Sequence, residues 1–183
     1  MVEVTIEITQ FCEEKCDYCS SMATPMGEHR TFEEIKAFLD SVENITRINV
    51  SGGEPLANPD FYPILQYCYK ITSNVWVYTN AIRQLRYNAN VIKEVTVEAN
   101  VCIIPGRNVY IPGKHPARLL PLVCQGRAIN FPEPELYASH MFYRDETHDC
   151  STCENILYQA DGQIVEAPCK KKYVRQYGGQ EDV

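Results

Sequence analysis

No run of apolar residues in this 183-residue chain approaches the roughly eighteen needed to cross a bilayer. Its first residues, Met1-Val2-Glu3-Val4, lack the basic segment that opens a secretory leader, so a cytoplasmic protein with no membrane partner is expected. With no leader, the nine cysteines read as metal or redox ligands in a reducing compartment, not as a disulfide framework. Acidic residues are missing altogether from Val101 to Asn130, where Arg107, Lys114, Arg118 and Arg127 stand with His115, and a second basic run spans Lys170 to Arg175. Such runs are either solvated faces or local counter-charges for an anionic cofactor, cluster or substrate. The formal net charge of −7 argues against indiscriminate nucleic-acid binding over the whole surface. At 45% apolar and 22% charged, the chain can bury the core of one domain, with or without a small appendage.

Periodicity organises the first half. Val2, Val4, Ile6 and Ile8 alternate with Glu3, Thr5, Glu7 and Thr9, which predicts a strand. Thr31 and Glu34 form a capping box ahead of Phe32, Ile35, Phe38, Leu39 and Val42, which recur at helical spacing. A second strand is predicted over Arg47 to Val50. Asn58, with Pro59 at the first helical position, is expected to cap a helix whose stripe is Phe61, Ile64, Leu65 and Cys68, which makes Cys68 a core residue. A third strand, Asn74 to Tyr78, a short helix near Ile82 to Tyr87 and a fourth strand, Glu94 to Val101, complete a βαβ succession that implies a parallel sheet. From Pro105 to Pro134 six prolines interrupt the chain, and no further helix is predicted. Asn155 to Gln159 and Gln163 to Ala167 flank Asp161-Gly162, a strong hairpin signal.

Two motifs carry the chemistry. Cys12, Cys16 and Cys19 stand in a C-x3-C-x2-C spacing between strand and helix, so one short loop can gather three thiolates. A [4Fe–4S] cluster is normally held by four cysteines, so three leave one iron for a non-protein ligand. A zinc knuckle is the alternative, although the next histidine, His29, lies beyond Pro25 and Gly27. Ser51-Gly52-Gly53-Glu54-Pro55-Leu56 follows the second strand. There the glycine pair permits close approach of backbone to a ligand, and the glutamate offers a carboxylate to a cationic amine.

The cysteine loop and the Gly-Gly-Glu-Pro motif together resemble the radical S-adenosylmethionine (SAM) superfamily. The resemblance implies that Cys12, Cys16 and Cys19 ligate a [4Fe–4S] cluster whose fourth iron takes the amine and carboxylate of SAM. It further implies that Tyr18 packs beside the adenine and that Gly52, Gly53, Glu54 and Pro55 hold the methionine amine. Thr79-Asn80-Ala81 is similar to the Thr-Asn-Gly that closes the third strand in many members, and Glu98 or Asn100 would meet the ribose hydroxyls. The implied architecture is α/β: a reduced (partial) parallel βα barrel of the radical SAM type, with a small C-terminal β-hairpin extension that binds a cluster. Four strand–helix units stand against the usual six, which leaves a wide lateral opening for a large substrate. The core is placed at residues 1–130 and the extension at 131–183.

In that extension Cys150, Cys153 and Cys169 bracket the hairpin. Zinc with His148 is one reading. The other is a resemblance to the auxiliary-cluster regions called SPASM and Twitch, which implies a second [4Fe–4S] cluster, its fourth ligand Cys124, Cys102, a substrate or none. The implied activity is reductive cleavage of SAM to a 5′-deoxyadenosyl radical that abstracts hydrogen, with electrons from a reductant such as flavodoxin or ferredoxin. No catalytic side chain is singled out. A peptide or protein side chain is the favoured substrate, because SPASM-type extensions accompany such substrates. A nucleobase, nucleotide or nucleic acid is the alternative favoured by the basic stretches, and a non-enzymatic iron–sulfur or zinc protein is the third class.

Overall fold

Strand β1 (Val2–Glu7) lies inside a five-stranded sheet whose order is β3-β2-β1-β6-β7. The computed structural model describes residues 2–19, 21–80, 99–103, 117–121 and 154–166. Within them the chain forms β1, α1 (Phe32–Asp40), β2 (Ile45–Ser51), a 3-10 turn (Pro55–Ala57), α2 (Phe61–Ile71), β3 (Val75–Val77), β4 (Ala99–Ile103), β5 (Ala117–Pro121), β6 (Ile156–Tyr158) and β7 (Ile164–Glu166). β1 pairs in parallel with β2, β2 with β3, and β1 with β6. β7 returns antiparallel to β6. β4 and β5 pair in parallel as a separate two-stranded sheet.

The parallel βα architecture expected from periodicity is present through β3, whereas the fourth strand, expected over Glu94 to Val101, is described at Ala99–Ile103 and pairs with β5 in the separate sheet. Val4, Ile6 and Ile8, with Ile48 and Val50 of β2, are fully buried. Against them lie Ile35, Phe38 and Leu39 of α1 and Phe61, Ile64, Leu65 and Cys68 of α2, in one core. Each large apolar side chain so buried stabilises the fold by about 1.5–3 kcal/mol. Tyr158 of β6 joins this core, its ring stacked on Phe38 with centroids 4.3 Å apart. The other face of the sheet is polar: Asn49 donates to Glu3 at 2.7 Å and to Thr5 at 3.2 Å, and Arg47 donates to Asn49 at 3.1 Å.

Helix α1 begins with the predicted capping box, Thr31 and Glu34 each bonding the other's backbone N–H. Asn58 does not cap α2, contrary to the sequence reading. The helix starts at Phe61 after Asp60, and the Asp60 carboxylate instead accepts the N–H of Phe32 at the start of α1. Asn58 is buried, donating to the carbonyls of Ile8 at 2.6 Å and Arg30 at 2.9 Å while accepting the N–H of Asp60. A side chain with both donors and an acceptor can tie three segments together, which a carboxylate cap cannot do.

β5 is a second departure, since no strand was predicted between Pro105 and Pro134. Pro116 and Pro121 flank and end it, and proline is tolerated at such strand boundaries although it breaks the pattern read from sequence. The hairpin forms where expected, with Gly162 at φ +87° and Gly162 N–H donating to Gln159 O. It does not stand apart, because β6 extends the main sheet beside β1. Among the described residues no helix is long and apolar enough to cross a membrane.

Candidate metal and cofactor site

Because β1, β2 and β3 run in one direction, the segments leaving them meet along one edge of the sheet, where parallel α/β folds place ligands. The cysteine loop leaves β1, Gly52-Gly53-Glu54 leaves β2, and Thr79-Asn80 leaves β3. Three of the sequence motifs are thus brought together.

The cysteine loop is closed by a ladder at its stem. Gln10 N–H donates to Glu28 O, Thr24 N–H to Gln10 O, Cys12 N–H to Thr24 O and Arg30 N–H to Ile8 O, all between 2.8 and 3.0 Å. Thr9, buried, adds its hydroxyl: it accepts the N–H of Phe11 and lies 2.8 Å from His29 Nδ1. The Gly-Gly-Glu segment docks onto this stem, Gly53 N–H donating to Thr9 O at 2.7 Å and Glu54 N–H to Phe11 O at 2.8 Å. A Cβ on Gly53 would stand 2.1 Å from Phe11 O, and one on Gly52, whose φ is +125°, 2.4 Å from Thr9 O. Close approach is therefore what the glycines provide, and what they approach is the stem of the cysteine loop.

Glu54 is completely buried. Its Oε1 accepts Leu56 N–H at 3.0 Å and the Thr79 hydroxyl at 2.7 Å, and its Oε2 accepts Asn80 N–H at 2.9 Å. One carboxylate thereby fixes the turn after β2 and the end of β3, which gives Thr79-Asn80 a defined task. A carboxylate offers about four lone-pair sites, so these three bonds leave one acceptor site of Oε2 unused.

Cys12 is buried, whereas Cys16, Tyr18 and Cys19 are half-buried. Desolvation pushes the Cys12 thiol above its ordinary pKa, and the charges of Cys16, Cys19 and Glu54 push in the same direction, against an opposing hydrogen bond with the Glu14 backbone. The three sulfurs and Glu54 therefore share one electrostatic neighbourhood. Among the described residues, no three His, Cys, Asp or Glu side chains gather closely enough to hold a single metal ion. By ligand type three soft thiolates on one loop suit an iron–sulfur cluster, and the nearby His29 is bonded into the stem.

Residues beyond the predicted set also build this edge. Arg30, at the end of the loop, donates Nε–H to Ala160 O at 2.7 Å and pairs with Glu34 at 2.7 Å. Glu7, buried at the end of β1, accepts the Ser21 hydroxyl and Ala160 N–H, each at 3.3 Å. Strict alternation in β1 assigned Glu7 and Thr9 to a polar face, and nothing in that period distinguishes a solvated side chain from a buried one. Cys150, Cys153, Cys169, Cys124, His148 and Glu98 lie outside the described residues, as do the helix expected near Ile82 to Tyr87, most of the stretch from Val101 to Asn130 and all of the run from Lys170 to Arg175. Asn100 and Cys102 are described only as backbone of β4.

The family model described as the Radical SAM superfamily matches residues 6–105 of this chain. The chain is similar to the AdoMet-dependent heme synthase of Methanosarcina barkeri, 39% identical over 66 residues that cover 33% of this chain and 19% of that protein. It is also similar to the PqqA peptide cyclase of Bradyrhizobium diazoefficiens, 34% identical over 83 residues that cover 43% of this chain and 21% of that protein. The matched stretches thus span about a fifth of the length of each relative.

Proposed function

Because this chain belongs to the radical SAM superfamily, we propose that Cys12, Cys16 and Cys19 hold its [4Fe–4S] cluster beside a SAM molecule, and that the substrate is a peptide or protein side chain. The observation that carries this is the docking of Gly53 and Glu54 onto Thr9 and Phe11, which makes the cysteine loop and the buried carboxylate one site. When bound, the cluster and SAM supply reductive cleavage to a 5′-deoxyadenosyl radical, which abstracts a hydrogen atom from the substrate.

The chain's own residues do the rest. The stem ladder fixes the backbone that enters and leaves the cysteine loop, and Gly52 and Gly53 let the second strand lie against it. Glu54 is read as the carboxylate that meets the methionine amine in a charge-assisted bond, in addition to its three bonds within the chain. Under this proposal Tyr18, half-buried next to Cys19, covers the adenine, and Glu98 or Asn100 meets the ribose hydroxyls. In this reading Cys150, Cys153 and Cys169 hold an auxiliary cluster of the SPASM or Twitch kind in a region from 131 to 183, and a flavodoxin or ferredoxin delivers electrons. Similarity to a peptide cyclase supports the peptide substrate.

Anaerobic reconstitution followed by turnover against a panel of peptides and nucleotides, scored by 5′-deoxyadenosine, tests the proposal. Replacing Cys12, Cys16 and Cys19 together by Ala should abolish cleavage, and retention of cleavage would overturn the radical reading. A salt-sensitive affinity for nucleic acid, with nucleotide products only, would replace the peptide substrate with a nucleotide one.

A further inference from the structure

Asn80 occupies a position that ties the buried carboxylate to the first cysteine. Its backbone N–H donates to Glu54 Oε2 at 2.9 Å, and the preceding residue, Thr79, donates its hydroxyl to Oε1 at 2.7 Å. Two consecutive residues are therefore pinned to one carboxylate that stands 0% exposed. Pinned in this way, the exposed Asn80 turns its side-chain amide to Cys12, with Nδ2 3.9 Å from Sγ, a hydrogen-bonding distance for sulfur. The contact spans 68 residues of sequence and joins the end of β3 to the loop after β1.

We propose that Asn80 is a positioning residue that donates to the Cys12 sulfur and raises the reduction potential of the cluster held there. The inference rests on the cluster assignment made above. Its physical basis is that one-electron reduction adds negative charge, part of which falls on the sulfur ligands. A donor to one of those sulfurs then stabilises the reduced form more than the oxidised form, and such hydrogen bonds are among the determinants of cluster potential. Glu54 enters only indirectly, by fixing the backbone from which the amide reaches.

The separation of backbone from side chain makes the idea testable. Every substitution at Asn80 other than proline keeps the N–H that bonds Glu54, so the anchor survives while the amide is removed. Wild type, Asn80→Leu, Asn80→Ser and Asn80→Asp are reconstituted anaerobically without SAM. Each is then titrated with dithionite at fixed solution potentials, with the reduced cluster quantified by electron paramagnetic resonance and iron counted per chain. At equal iron content, Leu and Ser should lower the ratio of reduced to oxidised cluster at a given potential by roughly threefold or more. Asp, which adds a negative charge while losing the donor, should lower it further. Ser keeps the test informative if Leu fails to fold. A wild-type cluster with an unchanged potential in Leu, Ser and Asp overturns this inference and leaves the cluster assignment standing. A wild type that takes up no iron at Cys12, Cys16 and Cys19 overturns both.

Discussion

Arg30 and Ala160 are 130 residues apart in sequence, yet the guanidinium Nε–H of the first meets the carbonyl oxygen of the second at 2.7 Å. The N–H of the same Ala160 is taken by Glu7. One residue of the hairpin turn is thus held from both sides by the residues that precede and follow the cysteine loop. Arg30→Ala removes one hold along with the cation above the Tyr158 ring, at a cost of about 1–3 kcal/mol for the stranded carbonyl and lost donor. Hydrogen exchange should then accelerate across residues 156–166 before it changes in α2. Uniform acceleration across both would mean that the hairpin has no local anchor.

Gly53→Ala should fail at the stem. Its Cβ would meet Phe11 O at 2.1 Å and the Ala23 methyl at 2.9 Å, and the backbone at Phe11 cannot yield without breaking the Glu54 N–H bond. A loss of about 1–3 kcal/mol, as in other overpacked sites, is expected, together with lower iron uptake on reconstitution. A melting temperature and iron content equal to wild type would contradict the docking of these two segments.

At Glu54, Gln keeps the shape but turns one acceptor into a donor. Leu56 N–H, Thr79 Oγ–H and Asn80 N–H then compete for a single oxygen, and at least one is stranded in a buried site at about 1–3 kcal/mol. SAM affinity, read by equilibrium dialysis on reconstituted protein, should fall roughly tenfold or more with loss of the charge-assisted bond. Stability should fall with it. An unchanged affinity would assign Glu54 to the fold alone.

Thiol labelling separates the cysteines. Cys68 is fully buried in α2 and burial pushes its thiol up to about 12, so almost no thiolate exists at pH 8. Iodoacetamide on metal-free native protein, mapped by mass spectrometry, should label Cys16 and Cys19 readily, Cys12 more slowly and Cys68 only on unfolding. Early modification of Cys68 would show that the α2 face is not packed as described.

The capping box gives a pH signature. The Thr31 backbone N–H, then Arg30 and the Thr31 hydroxyl, hold the Glu34 carboxyl below the ordinary glutamate range. A depressed carboxyl stabilises the fold fully above its unfolded pKa and loses that contribution as pH falls through the folded value. The stability advantage of wild type over Glu34→Gln should therefore be constant near neutrality and fade below about pH 4.5. Since Glu34 is exposed, the effect is small, and acid denaturation curves of the two proteins compared from pH 6 to 3 would reveal it.

Local signals were legible and distant ones were not. Alternation in β1, the Thr31–Glu34 box, the glycine pair after β2 and the Asp161-Gly162 turn each depend on neighbours within a few residues, and each appears where the sequence places it. Asn58 was misread because its position before Pro59 looks like a cap, while its real partners, Ile8 and Arg30, are contributed by other segments. β5 was hidden by its bounding prolines. The Gly-Gly-Glu motif was located correctly, but that its glycines face the cysteine stem and that its carboxylate anchors Thr79 and Asn80 depends on three strands lying parallel. No local spacing encodes that.

The pairing of β1 with β6 joins residues roughly 150 positions apart, and this sets an order of assembly. During synthesis the segment through Asn80 emerges first, with its own helices, its β1–β2–β3 pairing and all three cysteines of the loop, and it can collapse as a unit of mostly shorter-range contacts. The strand that completes the far side of β1 arrives only after a long intervening stretch. Until then that edge of β1 presents unpaired backbone groups, a template for pairing with another nascent or truncated chain. Fragments that stop short of Ile156 should therefore associate through β1, and in the whole chain the arrival of β6 is the step that ends this exposure.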